Sequence, residues 1–198
     1  MDFKEEQRDA LAEYVNIGFG RAAASLSMLL GQKIVLHAPD VKLFPPSGLK
    51  PTFEELISGE KVIVFQSFSG KLSGNVFLLM DMDSVTILVD LLSGGKGVSH
   101  RFSISDREAL TEVGNILLNA YVGSFGNLLK VQIRFTVPHL VMESIDAVLL
   151  ELAQNLSHYL LLVKTEFQLS TGGVNGYVAL VIGEDSLDLL MHQLAEEA

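Results

Sequence analysis

Over residues 5–30, Leu11, Val15, Ala22, Leu26 and Leu29 recur at helical spacing with polar positions between them, and Gly31 follows as a stop. The same alternation predicts a second helix near 105–129, with Ser105 as N-cap and Glu108 in capping-box position. A β-like segment follows each helix, at Lys33–Val41 and Val131–Val141. Farther on, Lys61–Ser69 with Gly74–Met82, and Tyr159–Leu169 with Val174–Ile182, read as two hairpins around Gly-containing turns. Shorter helices are expected at Thr52–Ser58, Ser84–Leu92, Ser144–Asn155 and Ser186–Glu196, and loops at Pro45–Pro51 and Ser93–Ser99. Helices interrupting antiparallel hairpins predict an α+β protein.

The pattern is written twice. Leu11/Leu110, Glu13/Glu112, Asn16/Asn115, Ile17/Ile116, Leu29/Leu128, Leu30/Leu129 and Pro39/Pro138 pair at one offset of 99 residues. Gly74–Met80 is answered by Gly176–Ile182, and Ser84 and Leu92 by Ser186 and Leu194, at an offset of 102, which places a three-residue insertion within Ser170–Val174. The expected organisation is one domain of two repeats, about 1–97 and 98–198. Each half alone has a modest core, so the seam at 93–99 is not expected to be a flexible linker.

Composition narrows the function. With 198 residues and 48% hydrophobic content the chain can bury a core. Its net charge of -10, with no Lys/Arg cluster, opposes nucleic acid and anionic membranes and favours a protein partner. Zero Cys excludes disulfides, thiolate metal sites and Cys nucleophiles, and fits a reducing cytosol. No signal peptide is read at the N-terminus, and no apolar run approaches the roughly 20 residues of a spanning helix. A soluble, cytoplasmic protein is expected, without membrane insertion.

Candidate chemistry lies on the polar side of the long helices. Glu and Asn three residues apart share a helix face, with Cβ atoms about 5–6 Å apart, and an acid four residues earlier joins them. The stripes are Asp9, Glu13, Asn16 and Glu108, Glu112, Asn115. Asn is a poor helix former in mid-helix, and its amide offers both a donor and an acceptor. One such residue would be read as a solvated or locally bonded side chain. Two in identical context, each 22 residues before a proline, Pro39 or Pro138, point to function. Gly18, Gly20, Ala22, Ala23, Ala24 and Ser25 read as close packing against the sheet, with Gly18 and Gly20 accommodating a close approach.

The doubled pattern Asp/Ser-x-x-x-Glu-x-x-Asn, 22 residues, Pro resembles the CheC/CheX/FliY family of chemotaxis response-regulator phosphatases, and two copies in a chain of this length are most similar to CheC. The resemblance runs over nearly the whole chain, including Asn16-Ile17-Gly18 and Asn115-Ile116-Leu117 with Tyr121. It implies an internally duplicated α+β fold, two motif helices on an antiparallel sheet with pseudo-two-fold symmetry. It further implies hydrolysis of the phospho-aspartate of the regulator CheY. Glu13 and Glu112 would contact a regulator lysine, Asn16 and Asn115 would orient the attacking water, and Asp9, Glu108, Pro39 and Pro138 would support the motif. Any Mg2+ would sit on the regulator, with no cofactor or metal on this chain, and the deamidase CheD is an implied partner. The second copy departs from the pattern by carrying Glu108, and that longer acid is expected to shift or weaken docking there.

Two other readings stand beside this one. The chain could be a non-catalytic binding module, either a CheD adapter or a flagellar-switch protein of the FliM/FliY type, although no appended switch domain or regulator-binding peptide is read in it. Alternatively it could be a phosphatase for a receiver outside chemotaxis. Other signals fade. Gly94-Gly95-Lys96-Gly97 lacks phosphate-loop spacing, Ser73-Gly74 lacks the serine-hydrolase elbow, and His37, His100, His139, His158 and His192 lack metal-ligand spacing. Phe65, Phe68, Phe77, Phe125 and Phe167 are read as core.

Overall fold

A computed structural model describes residues 4–36, 40–56, 59, 61–94, 102–142, 158–169 and 172–197. The helix expected at 144–155, Pro39, His37, His100 and the seam beyond Gly94 lie outside these residues. The described elements run α1 (Glu5–Leu30), β1 (Val35–Leu36), β2 (Asp40–Phe44), α2 (Pro46–Leu56), β3 (Lys61–Gly70), β4 (Gly74–Asp81) and α3 (Met82–Leu92). Then follow α4 (Ile104–Leu128), β5 (Ile133–Phe135), β6 (His139–Val141), β7 (Tyr159–Leu169), β8 (Gly172–Ile182) and α5 (Glu184–Glu197).

The strands form one antiparallel sheet in the order β1-β7-β8-β4-β3-β5, with β2 also on β7 and β6 on β3. The two hairpins meet at the centre, where β4 pairs with β8. In that ladder Phe77 lies opposite Ala179, its own counterpart at the offset of 102, so the pseudo-two-fold axis passes between them. Two serines repeat the relationship. Ser186 Oγ accepts from the Ser73 N–H at 3.2 Å, and Ser84 Oγ accepts from the Asn175 N–H at 3.2 Å, each helix thus tying down the hairpin of the other half.

The sheet is covered on both faces, which is why β4 is an almost unbroken apolar run rather than an alternation. One face packs Val62, Val64, Val76, Leu78, Val178 and Leu180 against α1, α3, α4 and α5. On the other, Ile63, Phe77, Leu79, Leu160 and Val181 pack against Leu49 and Phe53 of α2. The Phe53 and Phe77 rings meet edge to face at 5.0 Å.

Several boundaries differ from expectation. The stretch Pro45–Pro51, read as loop, is mostly helix: Pro46 opens α2 and Pro51 lies inside it. Pro46 suits the first helical turn, and burying Leu49 and Phe53 contributes about 1.5–3 kcal/mol each, enough to offset the roughly 3 kcal/mol of an interior proline. The N-cap of α4 is Ser103, not Ser105. Its Oγ accepts from the Asp106 N–H at 3.2 Å while Asp106 Oδ2 accepts from the Ser103 N–H at 2.7 Å. Both serines carry an acid three residues on, and the earlier box prevails because Phe102, just before it, packs on the core. Finally, each β-like segment after a long helix is two short strands, β1/β2 and β5/β6, on the outermost long strand of its side.

Candidate functional site

The inner faces of the long helices are set by burial of Leu11, Val15, Phe19, Ala22 and Leu26 on α1, and of Leu110, Val113, Leu117, Leu118 and Tyr121 on α4. The helices also pack on each other, with Phe19 and Tyr121 ring centroids 6.0 Å apart. That orientation leaves Asp9, Glu13 and Asn16 exposed in one row on α1, and Glu108 and Glu112 exposed beside half-buried Asn115 on α4. Each acid-and-amide stripe thus faces outward from its helix.

The small residues around Asn16 divide. A Cβ on Gly18 would meet the Ala120 carbonyl oxygen at 2.6 Å, so this close approach is to α4 rather than to the sheet, whereas a Cβ on Gly20 would meet nothing within 4 Å. On α4 the close approach to the sheet falls at Gly114, where a Cβ would lie 2.5 Å from Val64.

The two stripes differ in their surroundings. Among the described residues no hydrogen bond reaches the side chain of Glu13 or Asn16. Asn115 is held: its Nδ2 donates to Glu112 Oε2 at a long 3.5 Å, and its Oδ1 accepts from Asn119 Nδ2 at 2.8 Å. Asn119 Oδ1 in turn accepts from Gln66 Nε2 at 2.7 Å, and Gln66 on β3 is fully buried. A line of amides therefore runs from the core to the outer face of α4.

Beside the second stripe lies an open groove of about 340 Å³ lined by Ile104, Arg107, Glu108, Thr111, Glu112 and Leu140. Leu140 arrives there on β6, two residues after half-buried Pro138, so the motif proline stands at the head of the strand that walls the groove. The chemistry on offer is docking of a cation by exposed carboxylates and orientation of a polar group by the amides. Asn119, Gln66 and Leu140 escaped the sequence reading. Asn119 could have been found as the next residue of the helical row 108, 112, 115, and Gln66 as the lone amide in the apolar run Val62–Phe65 and Phe68.

No family model matches the chain. It is 32% identical over 167 residues to the CheY-P phosphatase CheC of Bacillus subtilis (strain 168), a match covering 78% of this chain and 75% of that protein. To the flagellar motor switch phosphatase FliY of the same organism it is 27% identical over 203 residues, covering 99% of this chain but 52% of FliY, so the chain spans about half of that relative's length. The X-ray crystal structure of Thermotoga maritima FliY superposes with a TM-score of 0.77 at 24% identity, over 100% of each chain. The fold is therefore the internally duplicated, pseudo-two-fold α+β architecture shared with FliY. Within that class, the chain belongs to the CheC family.

Proposed function

We propose that this protein is a hydrolase that removes the phosphoryl group from the phospho-aspartate of a CheY-type response regulator, working as one domain of two repeats in the cytoplasm. The observation that carries the reading is the pair of outward-facing stripes, Asp9/Glu13/Asn16 on α1 and Glu108/Glu112/Asn115 on α4. Family membership supports it, since the matched relative is named a CheY-P phosphatase.

In this reading Glu13 or Glu112 docks on a lysine of the regulator, with Asp9 or Glu108 and the motif prolines supporting the contact. Asn16 or Asn115 then enters the phosphorylation site, and its Oδ1 accepts a hydrogen bond from the attacking water. A water so held has one lone pair aimed in line at phosphorus, and positioning of this kind is the main lever in phosphoryl transfer. The water oxygen–phosphorus bond forms as the phosphorus–acyl oxygen bond breaks. Aspartate leaves as a carboxylate, and the proton shed by water ends on phosphate or in solvent. Mg2+ bound by the regulator would supply neutralisation of the phosphoryl oxygens, and in this reading neither a metal ligand nor a nucleophile is required of this chain. CheD is a further proposed partner.

The test is the decay of phosphorylated CheY from the same organism with wild type, Asn16→Ala, Asn115→Ala and the double variant. Acceleration that disappears only in the double variant is expected. A folded wild type that accelerates nothing, with or without CheD, would overturn the CheY-phosphatase reading in favour of a binding module or a phosphatase of another receiver.

A further inference from the structure

We infer that Asn119 and Gln66 are positioning residues that lock the side chain of Asn115 for its task, and that the α1 site lacks this device. The inference rests on the phosphatase reading and deepens it by assigning unequal preparation to the two sites.

A free asparagine on a helix samples about two χ1 rotamers, and its amide turns over a broad, roughly two-fold torsion, so only about a quarter of its states present the carbonyl oxygen in a given direction. Asn115 is restrained from beneath. Gln66 is fully buried and donates at 2.7 Å to Asn119 Oδ1; Asn119, now committed, donates at 2.8 Å to Asn115 Oδ1. The polarity of the line is fixed at its outer end, because the Glu112 carboxylate can only accept and so faces the Asn115 NH2. When Glu112 turns away to a regulator lysine, the buried end still holds the amide. Asn115 Oδ1 keeps a second lone pair for water.

The repeat shows what is missing on α1. At the offset of 99, Gly20 stands where α4 has Asn119. Hairpin register places Val163 where β3 has Gln66, since Gln66 pairs with Val76 and Val163 with Val178, which correspond. A glycine and a buried valine can make no such line, and Asn16 is exposed with no side-chain hydrogen bond among the described residues. Gln66 Oε1 is buried without a partner among the described residues, so the amide stands in the core at a cost to stability rather than in its support.

That last point separates positioning from folding. In an Asn16→Ala background, which leaves only the α4 site, Gln66→Leu is expected to leave the unfolding midpoint unchanged or higher. It should also lower kcat roughly three- to tenfold, the loss of a restricted orientation, with KM for phosphorylated CheY unchanged. Asn119→Ala should act in the same direction. The 15N relaxation of the side-chain amides in the unbound protein gives a second readout, with Asn115 ordered, Asn16 mobile, and Asn115 mobile after Gln66→Leu. An Asn16→Ala protein that accelerates decay equally fast with and without the added Gln66→Leu change, and an Asn115 amide as mobile as that of Asn16, would overturn the inference while leaving the phosphatase reading intact. Ordered Asn115 with no acceleration by any folded form would overturn the phosphatase reading and the catalytic role together.

Discussion

A Cβ added to Gly18 would stand 2.6 Å from the carbonyl oxygen of Ala120 and 3.0 Å from Ser124 Cβ, so α1 and α4 cross with one helix backbone against the other. Gly18→Ala must therefore push the two helices apart at their buried crossing. It is expected to destabilise by about 1–3 kcal/mol, as overpacking does. Gly20→Ala, two residues along the same helix and facing open space, should stabilise by about 0.5–1 kcal/mol. Urea unfolding of the two variants checks the contrast, and equal effects would refute the close crossing.

Lys130 is the position where α4 repeats the helix end that Gly31 makes on α1. Both have left-handed backbones, φ 53° for Lys130 and 64° for Gly31. The turn is closed by Val131 N–H to the Gly126 carbonyl at 2.9 Å. A lysine incurs a steric penalty there that glycine escapes. Lys130→Gly should raise stability by about 1 kcal/mol, read as a higher melting temperature, whereas Gly31→Lys should lower it by a similar amount.

Asp81 caps α3, its Oδ1 accepting from the Ser84 N–H at 2.7 Å. Burial acts to raise its pKa, but hydrogen bonds from the Ser84 N–H and hydroxyl and the charge of Lys61 outweigh it, leaving the carboxyl below its usual 3.8. A depressed folded pKa means the stabilisation is present above that usual value and is lost as pH falls through the folded pKa. Asp81→Ala should cost about 1 kcal/mol at neutral pH, while Asp81→Asn keeps the cap. Unfolding midpoints from pH 7 to pH 2 should fall less steeply for the Asn variant below about pH 4 than for the wild type.

Tyr121 is fully buried between Phe19 and Phe125, and its hydroxyl has no hydrogen-bond partner among the described residues. Burial alone pushes its pKa well above 10.0. Removing the hydroxyl takes away an unpaired polar group without opening much space. Tyr121→Phe should leave stability unchanged or raise it by about 1 kcal/mol in thermal unfolding. A loss of that size would show that the hydroxyl is satisfied in solution.

What the sequence reveals about this fold depends on the range of the forces involved. The long helices are legible because Leu11, Val15 and Leu26 must face one core, and the hairpins because their strands are continuous and their turns contain glycine. The start of α4 is ambiguous, since Ser103 and Ser105 offer equivalent local chemistry and only the packing of Phe102 decides between them. The first half of helix α2 is hidden, because its prolines argue locally for a loop while Leu49 is drawn onto a sheet face assembled from distant segments; its second half, from Thr52, is expected as helix. The same holds at the candidate site: Glu112 and Asn115 are neighbours in sequence, but Gln66 reaches Asn115 only through the pairing of β3 with its sheet partners and the seating of α4 above them.

Phe77 and Ala179 face each other across the sheet centre as counterparts, yet one is a large aromatic ring and the other a methyl group. Such an unequal pair could not exist in a symmetric dimer, where one gene position must serve both sides. Joining both copies in one polypeptide lets each diverge alone. Asn119 stands beside one stripe and Gly20 beside the other, so a single chain can give its two stripes different surroundings.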